Sequence, residues 1–155
     1  MSLFAIFIGD PSSNYVWRDL DEYLQRSFYR EDDKKLTIVC TCIDSGGHHT
    51  QQVYGFTSQR VHRKIYAIKG QSQQNKPIAG RPSYVGRNRQ LLYPVGSDTA
   101  KEVIFTRLKN EERTIHFPAT VDEEYFKQLT SEKRIIKIVK GIKKFSWIKK
   151  TTRNE

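Results

Sequence analysis

Nine successive residues, Leu36 to Asp44 (LTIVCTCID), are apolar or β-branched up to the closing aspartate, and Gly46-Gly47 follow at once. A continuous run of this kind suits a central strand buried on both faces. The glycines break it and let the chain turn sharply. A helix is predicted from about Thr50 to Ser58, with Val53, Tyr54 and Phe56 as anchors, and KIYAIKG (64–70) reads as the next strand. Strand, helix, strand in this order is the pattern of a sheet with helices packed over it.

The flanking sequence extends that pattern. LFAIFIG (3–9) reads as a strand leaving into the turn Gly9-Asp10-Pro11. Ser12, Ser13 or Asn14 caps a helix whose core stripe is Val16, Leu20, Tyr23, Leu24 and Phe28. REDDKK (30–35) reads as a loop, and GQSQQNKPIAGRP (70–82) as a polar one. SYVGRNRQLLYPVG (83–96) predicts a hairpin turning near Gly86-Arg87-Asn88. Ser97 or Asp98 caps a helix with an apolar face of Val103, Ile104 and Leu108. TIHFP (114–118) reads as a short strand, and TVDEEYFKQLTSE as a capped helix with acidic residues at its positive end. RIIKIVKGIKKFSWIKK reads as a hairpin turning at Gly141. No internal repeat and no second domain is evident: a core over 4–132 carries the hairpin and tail 133–155.

Charge is placed unevenly. Lys133 to Arg153 holds nine of the 27 basic residues and none of the 17 acidic ones, within a net charge of +10. Such polarity points to a polyanion, nucleic acid before membrane, because no amphipathic anchor accompanies it. No apolar run approaches the roughly 20 residues that span a bilayer, and no secretory signal opens the chain. Cys40 and Cys42, at strand spacing, suit a disulfide poorly and read as two buried thiols in a reducing cytoplasm.

Asp44 is the residue with the most chemistry in reach. Open α/β sheets place ligand and metal groups at the carboxyl ends of their strands. A carboxylate there can hold Mg²⁺ or Mn²⁺, but phosphodiester hydrolysis by two metals needs several converging acidic ligands. The competing reading has Asp44 capping the next turn or helix. His48 and His49 are adjacent, so on a helix they point about 100° apart and cannot share a zinc ion. No G-x-x-x-x-G-K-[ST] loop is present, hence no ATP site, and no G-x-S-x-G elbow. On the hairpin, Lys137, Lys140, Lys143, Lys144, Lys149 and Lys150 surround Phe145 and Trp147. Aromatics among cations either stack on bases or pack the hairpin onto its own core.

Six blocks stand in order over nearly the whole chain: GDPSSNYVWRDLDEYL, CIDSGGHHTQQVYGF, YAIKG, YPVGSDTAKEVIFTRL, HFPATVDEEYFKQLTSE and the final RNE. In series they resemble the large terminase subunit of lambda-like tailed phages, in its carboxyl-terminal nuclease domain. The resemblance implies a ribonuclease H-like mixed sheet flanked by helices. It also implies metal-dependent cutting of concatemeric double-stranded DNA, with a separate ATPase domain driving packaging. Asp44 matches a metal-binding carboxylate of that family; Asp98 and Lys101 match a further family block. The implied partners are DNA, the small terminase subunit and the portal, in the bacterial host cytoplasm.

The same resemblance carries departures. The family's first catalytic aspartate lies upstream of the block matching IFIGDP, and its third acidic residue follows the RNE block. The chain is therefore expected to be a nuclease domain incomplete at both ends and inactive by itself, with an exposed sheet edge able to pair two copies. Two other readings stand beside it. One is a non-catalytic DNA-binding or packaging-interaction module using the hairpin, and the other an unrelated cytosolic α/β protein whose basic tail serves solvation.

Overall fold

The computed structural model describes residues 5–110, 115–117, 119 and 121–150. The chain divides into two compact units, Met1–Ala100 and Lys101–Glu155. The first contains α1 (Asn14–Leu24), β1 (Ser27–Tyr29), β2 (Lys35–Thr37), β3 (Thr41–Asp44) and α2 (Thr50–Ser58). It continues through β4 (Ile65–Gln71), β5 (Ser83–Val85) and β6 (Gln90–Gly96), and α3 (Ser97–Leu108) begins where β6 ends. The class is mixed α/β. An open four-stranded sheet runs β3-β4-β6-β5, with β3, β4 and β6 parallel and β5 antiparallel to β6.

One face of this sheet carries the core. Ile43, Ala67, Leu92 and Val85 fall on that face by register, and α2 lays Val53 and Tyr54 against it, with Trp17 of α1 packed on the same cluster. Ala67 is wholly buried, which leaves room for the helix to approach. The helices are further joined by charge: Asp21 of α1 accepts from Arg60 Nε at 2.9 Å and from Arg63 Nη1 at 2.7 Å. The Arg60 guanidinium, beyond α2, also lies 4.1 Å over the Phe56 ring. The first of these contacts, from Arg60, does most to hold the Asp21 carboxyl below its usual range.

Several sequence expectations need correction. Residues 5–8 of LFAIFIG form no strand; no described ladder receives them, so Ile6 and Ile8 stay 77% and 90% exposed while Phe7 meets Tyr23 edge-on at 5.6 Å. The run 36–44 is two strands, not one. Lys35–Thr37 closes an antiparallel hairpin with β1 around the REDDKK turn, and Thr41–Asp44 is an edge strand, not a central one. Between them the ladder is lost and Val39 is 73% exposed. The edge position also leaves both thiols, Cys40 and Cys42, free and exposed instead of buried. Phe28 lies outside the helix, because α1 ends at Leu24; it enters β1 and still touches Tyr23, at 6.0 Å between rings. Ile104 is exposed, while Val103, Phe105 and Leu108 are half-buried. Residues 115–117 of TIHFP are not a strand; Thr114, Pro118 and the RNE block lie outside the described residues.

The second unit contains the later turns of α3, then α4 (Glu123–Leu129), β7 (Glu132–Val139) and β8 (Ile142–Lys149). Asp122 caps α4, accepting from the Tyr125 amide at 2.9 Å, with Glu123 and Glu124 in the first turn. β7 and β8 pair antiparallel over their whole length around Lys140-Gly141, both at positive φ (52° and 76°). That is the backbone a two-residue hairpin turn requires. Trp147 packs on Phe105 of α3 at 5.0 Å between ring centroids. Lys101 pairs with Glu132 at 2.5 Å, and Glu102 with Arg134 at 3.2 Å. No described helix is long and apolar enough to cross a membrane.

Candidate functional site

Asp44 closes β3 and is exposed at the carboxyl end of the parallel strands. Its Oδ1 accepts a hydrogen bond from the Gly46 amide at 2.9 Å, so one oxygen is spent on the turn. Oδ2 has no donor among the described residues. The neighbouring Ser45 is buried, its hydroxyl donating to the Ile68 carbonyl at 2.9 Å and its amide to the same carbonyl at 2.8 Å. These two bonds extend the β3–β4 ladder one residue past Asp44 and fix where its carboxylate stands. Thr50 then ties the start of α2 to the turn, its Oγ1 within 2.7 Å of the Ser45 carbonyl.

The glycines act differently from the sequence expectation. Neither Gly46 nor Gly47 has positive φ. At Gly46 a Cβ would stand 3.2 Å from Asp44 Oδ1 and press on that carboxylate, whereas at Gly47 a Cβ meets nothing. The capping reading and the ligand reading of Asp44 therefore coexist, one oxygen for each.

Asp98 lies in the first turn of α3, directly after β6. With β4 between them, the β3 and β6 backbones are separated by two strand spacings, about 10 Å. Asp44 and Asp98 both lie at the carboxyl ends of parallel strands of this sheet. Ligands of one Mg²⁺ ion stand about 2.1 Å from it. Among the described residues no three His, Cys, Asp or Glu side chains gather closely enough to hold a metal. The described donor set does not make a complete two-metal centre. Lys101 is engaged by Glu132 and lies 5.9 Å from the Trp147 ring, a structural ion pair in the second unit.

The hairpin divides its cations. Directly opposed residues share a face. Lys143, Phe145, Trp147 and Lys149 therefore fall on one face with Ile138, Ile136, Arg134 and Glu132, while Lys137 and Lys144 oppose each other on the second face. Lys140 is in the turn, and the Lys150 amide donates to the Ser131 carbonyl at 2.6 Å. Trp147 is half-buried on Phe105, which assigns it to packing. Phe145 remains 42% exposed under the Arg134 guanidinium, 3.6 Å from the ring centroid.

One signal escapes a search for motifs. From Ser45 to Ser97 there is no acidic residue at all, while Arg60, Arg63, Lys64, Lys69, Lys76, Arg81, Arg87 and Arg89 lie within that stretch. Counting charge by stretch, not by chain, would have found it. Asp21 takes Arg60 and Arg63; Lys76, Arg81, Arg87 and Arg89 have no carboxylate partner among the described residues.

A family model for the endonuclease domain of the terminase large subunit gpA matches residues 3–155. The large terminase subunit of Escherichia phage lambda is 32% identical over 97% of this chain and 25% of its own length. That of Enterobacteria phage P21 is 29% identical, again over 97% of this chain and 25% of its own. The chain thus spans about a quarter of the length of these curated relatives. No solved structure matches it.

Proposed function

This chain belongs to the family of terminase large subunit gpA endonuclease domains, and from that premise we propose that it is part of the carboxyl-terminal nuclease of a phage DNA-packaging terminase. The parent protein cuts concatemeric double-stranded DNA with Mg²⁺ or Mn²⁺ in the host cytoplasm, on a ribonuclease H-like sheet. Its packaging partners are the small terminase subunit and the portal. The observation that carries the reading is Asp44, exposed at the carboxyl end of a parallel strand with Oδ2 open. A divalent ion at that oxygen would supply charge neutralisation for phosphodiester hydrolysis. What the chain itself supplies is the fixed position of the carboxylate, set by Ser45 and the Gly46 amide.

Because the described carboxylates do not converge, the chain by itself is expected to bind one divalent ion weakly and to cut DNA little or not at all. Mn²⁺ titration of the isotope-labelled chain tests this. Paramagnetic broadening should centre on the Ser45 and Gly46 amides and vanish in Asp44→Asn. Broadening that is absent, or that persists in Asp44→Asn, contradicts the assignment.

A second reading is favoured by the absence of a metal-holding cluster around Asp44 among the described residues and by the cations of β7–β8: a DNA-binding module without catalysis. It predicts salt-dependent DNA binding indifferent to Mn²⁺. Lys137, Lys140, Lys143, Lys144, Lys149 and Lys150 are the contacts proposed under both readings. The open edge of β3 further supports pairing of two copies; a strict monomer by size-exclusion at high concentration would contradict it.

A further inference from the structure

Parallel ladders are ordinarily covered on both faces. Here α2 covers one face of β3-β4-β6-β5, with Trp17 of α1 on the same side, and neither α1 nor α2 packs on the other. That second face carries Cys42, Tyr66, Tyr93 and Tyr84 by register. The Tyr66 and Tyr93 rings lie 4.8 Å apart, and Tyr84 is 64% exposed with the Arg89 guanidinium 4.9 Å over its ring. Burial, then Tyr66, Tyr84 and Cys40, push the Tyr93 hydroxyl up. Asp44 falls on the same face, at the carboxyl end of β3; beyond it no acidic residue occurs from Ser45 to Ser97, and Arg81, Arg87 and Arg89 border β5 without a carboxylate partner among the described residues.

We propose that the uncovered tyrosine face of this sheet binds single-stranded DNA, with Tyr84 and Arg89 stacking an unpaired base and Tyr66 and Tyr93 forming the floor beside it. A duplex hides the faces of its bases; only a strand whose bases are splayed out presents a ring to these side chains. Cations without carboxylates supply the sequence-independent attraction to phosphate. A guanidinium already poised over an aromatic ring is a geometry that base stacking extends on its open side. This role is distinct from the Asp44 reading and from the hairpin: it requires neither a divalent ion nor residues after Ala100.

The test is binding of a labelled single-stranded oligodeoxynucleotide and of its duplex to the whole chain in EDTA at low salt. Tyr84→Ala should weaken single-strand binding about five- to hundred-fold, the usual range for loss of one stacked base. Tyr84→Phe should retain it, and duplex binding should be unchanged by either. Alkylation of Cys40 and Cys42 gives an independent readout, since the bound strand should slow it. Unchanged single-strand affinity in a folded Tyr84→Ala chain overturns the proposal, as does equal loss on the duplex, which would mean charge alone. Thiols protected before any oligonucleotide is added, in a chain that runs as a dimer, also overturn it by showing the face covered by protein.

Discussion

Gly96 is the position where one methyl group would be felt most. Its amide lies 3.1 Å from the Pro77 carbonyl, and a Cβ there would stand 2.6 Å from the carbonyl oxygens of both Lys76 and Pro77. Backbone cannot rotate aside as a side chain can, so Gly96→Ala is expected to cost about 1–3 kcal/mol. Gly47→Ala, facing open space, should change urea stability by no more than about 0.5 kcal/mol. Asp21 gives a second prediction. Its carboxyl is held low chiefly by Arg60, so its contribution is complete above the ordinary aspartate value of about 3.9. It is lost as pH falls through the lower folded value. Asp21→Asn should cost about 1–3 kcal/mol at neutral pH, and the difference from the parent chain should shrink below about pH 4 in urea melts. The place of Asp44 at the end of a strand was legible in the sequence, because Ser45-Gly46-Gly47 break the β-branched run directly after it. The partners of Asp21, 39 and 42 residues away, were not, since local pattern carries no information about such pairings.

Among elements, α2 and β4 follow the sequence reading closely. Each is bounded by its own local signals: a Gly-Gly break and a cluster of anchors for α2, an apolar alternation for β4. The run 36–44 was misread for a physical reason. β-branched composition reports fit to a pleated surface, not which ladder a strand joins or whether it joins one throughout. Its first half closes with β1 and its second half with β4, so the continuity lay in the letters and not in the hydrogen bonds. For the hairpin, the sequence located both strands and the turn but not the division of its cations by face. Lys137 and Lys144 stand directly opposite, and like charges so placed are destabilising. Lys144→Glu is therefore expected to stabilise the hairpin by about 0.2–1 kcal/mol. The same change should weaken duplex DNA binding and reduce its salt slope by at least about 1. Paired thermal melts and binding isotherms on one variant separate the two effects. A variant that loses stability and gains affinity would refute both.

At the scale of the molecule, two acid-free stretches dominate: Ser45–Ser97 in the first unit and Lys133–Arg153 in the second. All 17 acidic residues lie before, between or after them. A chain so divided is cation-rich along both stretches, while carboxylates outside them serve a helix start and ion pairs, as Asp21, Glu102, Asp122 and Glu132 do. Under the proposed function those stretches meet DNA, and Asp44 is the carboxylate proposed to hold the divalent ion. The most direct measurement is cleavage of supercoiled plasmid in Mn²⁺ by a large subunit carrying this domain, with and without Asp44→Asn. Loss of about a hundredfold or more in cutting, with DNA binding retained, is the predicted result, matching the scale of removing a key electrostatic group. Cutting at the parent rate by the Asp44→Asn protein would contradict the account.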